Sequence, residues 1–121
     1  MIKILCLGKI KEPYLNDLIA DYQKRISKYH PLEIIELKDT GNIEEEKRSL
    51  LKHISSKDYI LTLEIEGEKL TSEAFASKIE KTFIYYPNIT FVIGSSLGLH
   101  PDIKKMSNFA LSFSSLTFPH G

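Results

Sequence analysis

Short apolar runs alternate with stretches of helical spacing along the chain. The apolar runs are rich in aliphatic, β-branched and aromatic residues, as buried strands are, and they lie at residues 2–7, 32–38, 59–65, 88–94 and 109–114. After the first run, apolar side chains recur at every fourth position, which predicts an amphipathic helix: Tyr14, Leu18, Tyr22 and Ile26. Strand and helix alternate four times, which predicts one α/β domain with an open, mostly parallel sheet and flanking helices.

The predicted helices begin at prolines or at residues that can cap a helix. These starts are marked by Pro13, Asn42, Thr71 or Ser72, and Pro101. Asn42 followed by Glu45 resembles a capping box, and the helix that it opens is predicted to run to about Ser55. Ile79 and Phe83 continue the buried face of the next helix.

The bulk composition is that of a single soluble domain. A chain of 121 residues has room for one core, and 42% of the residues are hydrophobic, an ordinary share. Sixteen basic residues balance sixteen acidic ones, so the chain lacks the basic excess of proteins that hold nucleic acid mainly by bulk charge. An enzyme that contacts RNA through a local patch is still compatible with this balance.

Cysteine content and hydropathy indicate a cytoplasmic protein. Cys6 is the single cysteine, which excludes an internal disulfide and a thiolate metal cluster, and its apolar neighbours predict an inert buried thiol. No apolar run approaches the roughly 20 residues of a membrane-spanning helix. The opening "MIKILCLGKI" is too short for a secretory signal.

Polar or glycine-containing segments follow three of the predicted strands. The third strand passes Leu63 and leads into "EGEK", which predicts a turn around Gly67. The fourth leads into "GSSLG" (94–98), and the fifth into "SSLTFPHG" (114–121). Because ligands of open α/β sheets bind outside the carboxyl ends of the strands, we expect one pocket lined by all three segments.

The segments after the fourth and fifth strands each allow two interpretations. Gly94 and Gly98 let the backbone approach a ligand closely, but a plain strand-to-helix turn explains two glycines equally well. Their spacing matches neither a dinucleotide motif nor a P-loop, so we do not expect a nucleoside triphosphate. The tail suits either a loop that donates hydrogen bonds to an adenosine or a strand end whose serines face water.

Other polar residues give no second site. The histidines lack metal-ligand spacing and are interpreted as surface or cap residues: His30, His53, His100 and His120. The run "EEEKR" (44–48) is interpreted as a solvated helix face. Lys9 and Lys11 could contact phosphate, although loop lysines usually serve solubility alone.

Three separated motifs, together with the opening "MIKILCLGKIKEPYL", resemble those of the RlmH family. The motifs are "TLEIEG" (62–67), "FVIGSSLGLHPDI" (91–103) and "NFALSFSSLTFPHG" (108–121). RlmH proteins are bacterial SPOUT-superfamily methyltransferases that act on a pseudouridine in large-subunit (23S) ribosomal RNA. The resemblance runs from residue 1 to 120, and it is the combination of the three motifs that is specific.

The resemblance implies a fold, a cofactor and a set of binding residues. The expected domain is of the SPOUT type, with its C-terminal segment threaded as a trefoil knot, a rare exception to unknotted chains. S-adenosyl-L-methionine would lie bent in the knotted region, in contact with Leu63, Gly94, Phe113, Ser114, Ser115, Leu116, Thr117 and Phe118. Like its family, the protein would be a homodimer that recognises ribosomal RNA within the assembled ribosome, without a metal or a membrane.

The resemblance also implies the reaction. N3 of the pseudouridine would attack the sulfonium methyl group in an in-line displacement that releases a neutral thioether. A base must accept the N3 proton, directly or through water. No residue of the sequence is assigned that role.

Two departures from the family pattern stand out. The family usually has a second glycine where this chain has Ser95, whose side chain is tolerated without strain only at negative φ. Family members also continue past "FPH" with a further helix and a basic tail. We therefore expect residues 1–121 by themselves to lack the segment that completes the knot and the dimer, and to bind S-adenosylmethionine weakly.

The second departure leaves two alternatives to an active methyltransferase. One is a catalytically silent remnant, and the other is a binding-only α/β protein. A flavodoxin-like module shares the alternation of strand and helix, but only one glycine follows the first strand, so a phosphate-binding loop is not expected there.

Overall fold

The fold is built on one parallel sheet. The computed structural model describes residues 1–9, 17, 19–20, 22–24 and 30–112. Its strands are β1 (Ile2–Leu7), β2 (Leu32–Leu37), β3 (Asp58–Glu68), β4 (Asn88–Ile93) and β5 (Phe109–Leu111). Its helices are α1 (Ile43–Leu51), α2 (Ser72–Tyr85) and α3 (Pro101–Met106), and the described residues within 17–24 are helical as well.

All five strands run in the same direction. The order is β2-β1-β4-β3-β5, and every strand pair is parallel, which confirms the predicted open α/β sheet. The carboxyl ends of the strands therefore share one edge of the sheet, called the carboxyl edge below. Along this edge β4, β3 and β5 are neighbours, so the three strand ends predicted to form one pocket belong to adjacent strands.

Helices cover both faces of the sheet. Alternate residues of a strand point to opposite faces, and β1 shows this with Ile4 in one apolar cluster and Leu5 in the other. The first cluster packs against Tyr22 and against Phe75 of α2. The second packs against Leu50 of α1 and the buried residues of α3 and the loop before it. The helices packed on the two faces hold the carboxyl edge in place from both sides.

The first helix is described only in part. Tyr22 is 1% exposed, as the predicted apolar stripe requires, and burial raises the pKa of its hydroxyl to about 12, with the charge of Glu80 adding to the shift. The predicted start at Pro13 and the other stripe residues lie outside the described residues: Tyr14, Leu18 and Ile26.

Capping residues begin the helices as predicted. The Asn42 side chain accepts hydrogen bonds from the backbone N–H groups of Glu44 and Glu45, although the Asn42 N–H itself is satisfied by Thr40. Thr71 caps α2 by accepting a bond from Ala74 N–H at 3.0 Å.

The second predicted helix ends earlier than expected. It stops at Leu51 rather than near Ser55. The cause is a turn in which the buried Asp58 carboxylate accepts the Ser55 N–H at 3.0 Å, while the Asp58 N–H donates to Ser55 O at 3.1 Å. Asp58 also accepts from Thr90 at 3.1 Å, which anchors this turn to the amino end of β4.

The predicted turn around Gly67 is wrong. Gly67 lies inside β3, which runs to Glu68, and a Cβ at this position would lie 2.7 Å from the backbone carbon of Leu111. The glycine is needed because the backbones of β3 and β5 approach too closely for a side chain. Gly67 therefore marks a close contact between two strands and not the end of a strand.

Candidate functional site

A tight turn follows β4 at the carboxyl edge. The Gly98 N–H donates to Ser95 O at 2.9 Å, and Gly98 has a φ of +77°, a conformation that favours glycine. Gly94 needs to be glycine for another reason, since its Cβ would lie 2.8 Å from both the carbonyl carbon and the oxygen of Gly98. Backbone thus packs directly on backbone in the segment that the sequence predicted to meet a ligand.

Ser95 fits into this turn without strain. No described residue other than glycine has a positive φ, so the replacement of the family's second glycine is sterically harmless here. The Ser95 hydroxyl accepts a hydrogen bond from Leu97 N–H at 3.2 Å. It also donates to Glu46 Oε1 at 2.8 Å, which links the turn to α1.

The last residues of β3 pair with β5 and form hydrogen bonds with the residue that follows it. Leu111 pairs with Leu63 and, beyond a register shift, also with Glu68. The next residue, Ser112, is fully buried; its N–H donates to Glu68 O at 3.0 Å and its hydroxyl to Ile65 O at 3.0 Å. Leu111 and Ser112 are therefore held between Leu63 and the last residues of β3, while the Ile65 side chain is 91% exposed.

A polar cluster connects β3 with the end of α3. The buried Thr62 hydroxyl lies 2.7 Å from Glu64 Oε2 and 2.7 Å from Ser107 Oγ. Lys104 Nζ lies 3.8 Å from the other oxygen of Glu64. These contacts fix α3 against the strand that carries Leu63.

A charged network joins α1 to α3 beside the turn. His100 caps α3, because its Nδ1 accepts the Asp102 N–H at 2.9 Å, and so the neutral ring carries its proton on Nε2. That Nε2 lies 2.7 Å from Glu44 Oε1. Lys47 lies 3.2 Å from both Glu44 and Asp102 and completes the network.

The network shifts two pKa values in directions that favour the ion pairs. The hydrogen bond from His100, followed by that from Lys47, lowers the pKa of the Glu44 carboxyl. The hydrogen bond to Asp102, followed by that to Glu44, raises the pKa of Lys47. Both shifts favour the charged forms, so α1 and α3 are held together by ionised groups at neutral pH.

The predicted site residues fall on the carboxyl edge as far as they are described. Leu63 follows Thr62, the last residue of β3 that pairs with β4, and Gly94 follows β4 itself, so both lie near the carboxyl edge, although β3 continues to Glu68. The remaining predicted contacts lie outside the described residues: Phe113, Ser114, Ser115, Leu116, Thr117 and Phe118. The predicted pocket therefore stays a prediction, with two of its three walls visible.

The burial of Glu46 was not predicted from the sequence. It belongs to the run "EEEKR", which was predicted to be solvated, yet its side chain is only 1% exposed, whereas Glu44 and Glu45 are exposed. The signal that could have found it is spacing. Glu46 lies four residues before the buried Leu50, and residues four apart share a helix face.

The histidines, loop lysines and cysteine named from the sequence have structural roles or no role that the described residues define. His100 is confirmed as a cap, and His30 stacks on Phe83 with 3.9 Å between ring centroids. Lys9 is exposed after β1, while Lys11 and His120 lie outside the described residues. Cys6 is confirmed as a buried thiol, 2% exposed.

The described residues contain neither a metal-binding cluster nor a membrane-spanning helix. No three His, Cys, Asp or Glu side chains in residues 1–9, 17, 19–20, 22–24 and 30–112 are placed to hold a metal ion together. Over the same part of the chain, none of the helices combines the length and the apolar character that crossing a membrane requires.

Known proteins resemble the chain over nearly its whole length. Residues 1–121 match the protein family described as "Predicted SPOUT methyltransferase". The chain is similar to ribosomal RNA large subunit methyltransferase H of Streptococcus uberis, with 44% identity over 132 aligned residues. The proteins of that name from Streptococcus agalactiae and Streptococcus thermophilus are 42% and 40% identical. Each alignment covers 98% of this chain and 83% of the relative. The chain therefore belongs to the SPOUT methyltransferase family.

Proposed function

We propose that this protein transfers a methyl group from S-adenosylmethionine to N3 of a pseudouridine in large-subunit (23S) ribosomal RNA. The observation that carries the proposal is identity of 40–44% over 98% of the chain with proteins named as ribosomal RNA large subunit methyltransferases. The family match over residues 1–121 includes all three motifs on which the resemblance rests. The choice of pseudouridine N3 follows from the RlmH resemblance.

The residues of the carboxyl edge fit a bound S-adenosylmethionine. Gly98 has open space where a Cβ would be, so the turn presents backbone without a side chain there, which suits close approach by a nucleoside. Leu63 supplies a partly buried apolar surface on the adjacent strand. The segment from Phe113 to Phe118 would form the third wall.

The protein's main contribution to the reaction is orientation. When bound, S-adenosylmethionine supplies a methyl group already activated by the sulfonium charge. The turn at Gly94 and the part of β3 at Leu63 would hold the donor, so that the acceptor nitrogen meets the methyl group in line. The N3 proton leaves to a base or to water, and the described residues do not single out a base.

The RNA substrate is expected to be recognised by a composite surface. The formal net charge of the chain is zero at pH 7, so bulk attraction to phosphate contributes little affinity. We propose that a homodimer binds ribosomal RNA within the assembled ribosome, where several surfaces contribute to binding. An isolated RNA would be a poorer substrate for the same reason.

Methyl transfer to ribosomes tests the proposal. The protein is expressed from its whole gene, with any residues that follow Gly121, and this product is called the full-length protein below. It is incubated with S-adenosylmethionine labelled in the methyl group and with either assembled ribosomes or purified large-subunit RNA. We expect label in the large-subunit RNA of the ribosomes and much less in the purified RNA. Absence of label from both would contradict the proposed function.

A further inference from the structure

The Glu46 carboxylate is buried beside the candidate site with one oxygen unused. Its side chain is 1% exposed. Oε1 accepts the Ser95 hydroxyl at 2.8 Å, whereas Oε2 has no hydrogen-bond partner among the described residues. Because a buried charged oxygen without a donor is unfavourable, the position of Oε2 calls for a donor that the described part of the chain does not supply.

Glu46 is bonded to the tight turn that follows β4. Ser95 directly follows Gly94, and its carbonyl and hydroxyl oxygens accept the N–H groups of Gly98 and Leu97. The carboxylate of Glu46 therefore touches the turn at the carboxyl end of β4. One of its oxygens stabilises the turn, and the other is left for a different partner.

No protein cation neutralises this carboxylate within the described residues. The neighbouring Lys47 lies 3.2 Å from Glu44 and 3.2 Å from Asp102. His100 is also bound to Glu44, at 2.7 Å. None of the ion pairs among the described residues includes Glu46. The nearby positive charges are thus used elsewhere.

We propose that Glu46 is a binding residue of the methyl-donor site, whose Oε2 accepts a hydrogen bond from a donor group of S-adenosylmethionine. The inference rests on the proposed function and deepens it, because the sequence motifs did not include this residue. S-adenosylmethionine has amino, hydroxyl and ammonium donors and is itself cationic, so it matches a buried anionic acceptor in both respects.

The substitution Glu46→Gln tests this role with little change of shape. The amide oxygen can still accept the Ser95 hydroxyl, so the amide nitrogen replaces Oε2 and turns the acceptor into a donor. We expect the affinity of the full-length protein for S-adenosylmethionine, measured by calorimetry, to fall roughly tenfold or more. The melting temperature without ligand should stay the same or rise, because an under-paired buried charge has been removed.

The matched control is Glu45→Gln. It makes the same chemical change one residue earlier on the same helix, where the side chain is exposed. We expect this variant to bind S-adenosylmethionine like the wild type. The comparison separates loss of the buried acceptor from loss of negative charge on α1.

The outcomes separate this inference from the proposed function. If the wild-type protein does not bind S-adenosylmethionine, the proposed function fails, and the inference fails with it. If the wild type binds and Glu46→Gln binds equally well, only the inference is overturned. It is also overturned if the affinity of Glu46→Gln falls together with the melting temperature of the unliganded protein, because Glu46 would then support the fold and not the ligand.

Discussion

Single residues at the carboxyl edge show why two glycines in one loop are not equivalent. Gly98 is required by its backbone conformation, a φ of +77° with open space where a Cβ would be. Gly94 is required by space, because its Cβ would meet the backbone of Gly98 at 2.8 Å. The first requirement costs a fixed conformational energy, whereas the second forces the turn itself to move.

Alanine substitutions should separate these two requirements. Gly98→Ala is expected to lower the free energy of unfolding by about 1 kcal/mol, the usual penalty for a left-handed residue. Gly94→Ala should lower it by about 3 kcal/mol, as overpacking against backbone does, and should also weaken binding of S-adenosylmethionine. Urea denaturation measures the first effect and calorimetry the second. A Gly94→Ala variant that is as stable as Gly98→Ala would refute the steric explanation.

The sequence revealed these glycines but not Glu46. Glycine is recognisable by type, because so few residues tolerate close backbone contact. The burial of Glu46 depends instead on which face of α1 meets the sheet, and a run of five charged residues hides that face. Only the relation to Leu50, one helical turn later, distinguishes Glu46 from Glu45.

Among the secondary-structure elements, α1 and α3 depend on each other through charge. Glu44 and Lys47 on α1 meet His100 and Asp102 at the start of α3. The turn that carries Gly94 lies between these helices along the chain and is bonded to α1. Ionisation of the network therefore helps to hold the elements around the candidate site.

The substitution Glu44→Gln should reveal this link through its pH dependence. The pKa of Glu44 is lower in the folded protein than in the unfolded chain, so its ionised form favours folding. This contribution is full above the unfolded pKa of about 4.3, and it disappears as the pH falls through the lower folded value. We expect the variant to be slightly less stable than wild type at pH 7 and equally stable in strong acid.

Chemical denaturation across that pH range measures the difference between the two proteins. Because Glu44 is at the surface, added salt should shrink the difference at pH 7. The exposed Glu45→Gln variant is the control and should show a smaller effect. A Glu44→Gln difference that persists unchanged at low pH would contradict a role for the ionised carboxyl.

The elements themselves were largely predictable, and the errors have local causes. Strands and helices follow the hydrophobic period, and the caps at Asn42 and Thr71 follow from side-chain chemistry. The end of α1 could not be predicted, since it depends on Asp58 bonding back to Ser55. Gly67 was read as a turn because a glycine needed for strand contact looks the same as a glycine needed for a bend.

At the scale of the whole molecule, the sheet order brings together the strand ends of the candidate site. From β3 the chain crosses to β4 on the inner side and then to β5 on the outer side, so the carboxyl ends of β4, β3 and β5 lie side by side at one edge. The sequence predicted that these strand ends would meet, but not the order of the strands. The strand order depends on how the connections between strands pack against the sheet, and hydrophobic periodicity does not encode that packing.

The most direct test of the account is the modification state of one class of nucleoside in the cell. Large-subunit RNA is isolated from cells that lack the gene, and from the same cells supplied with the wild-type gene or the Gly94→Val variant. Its nucleosides are then separated and identified by mass spectrometry. The account predicts that pseudouridine methylated at N3 is missing without the gene, restored by the wild type and not restored by Gly94→Val. Equal amounts of N3-methylated pseudouridine in all three RNAs would contradict it.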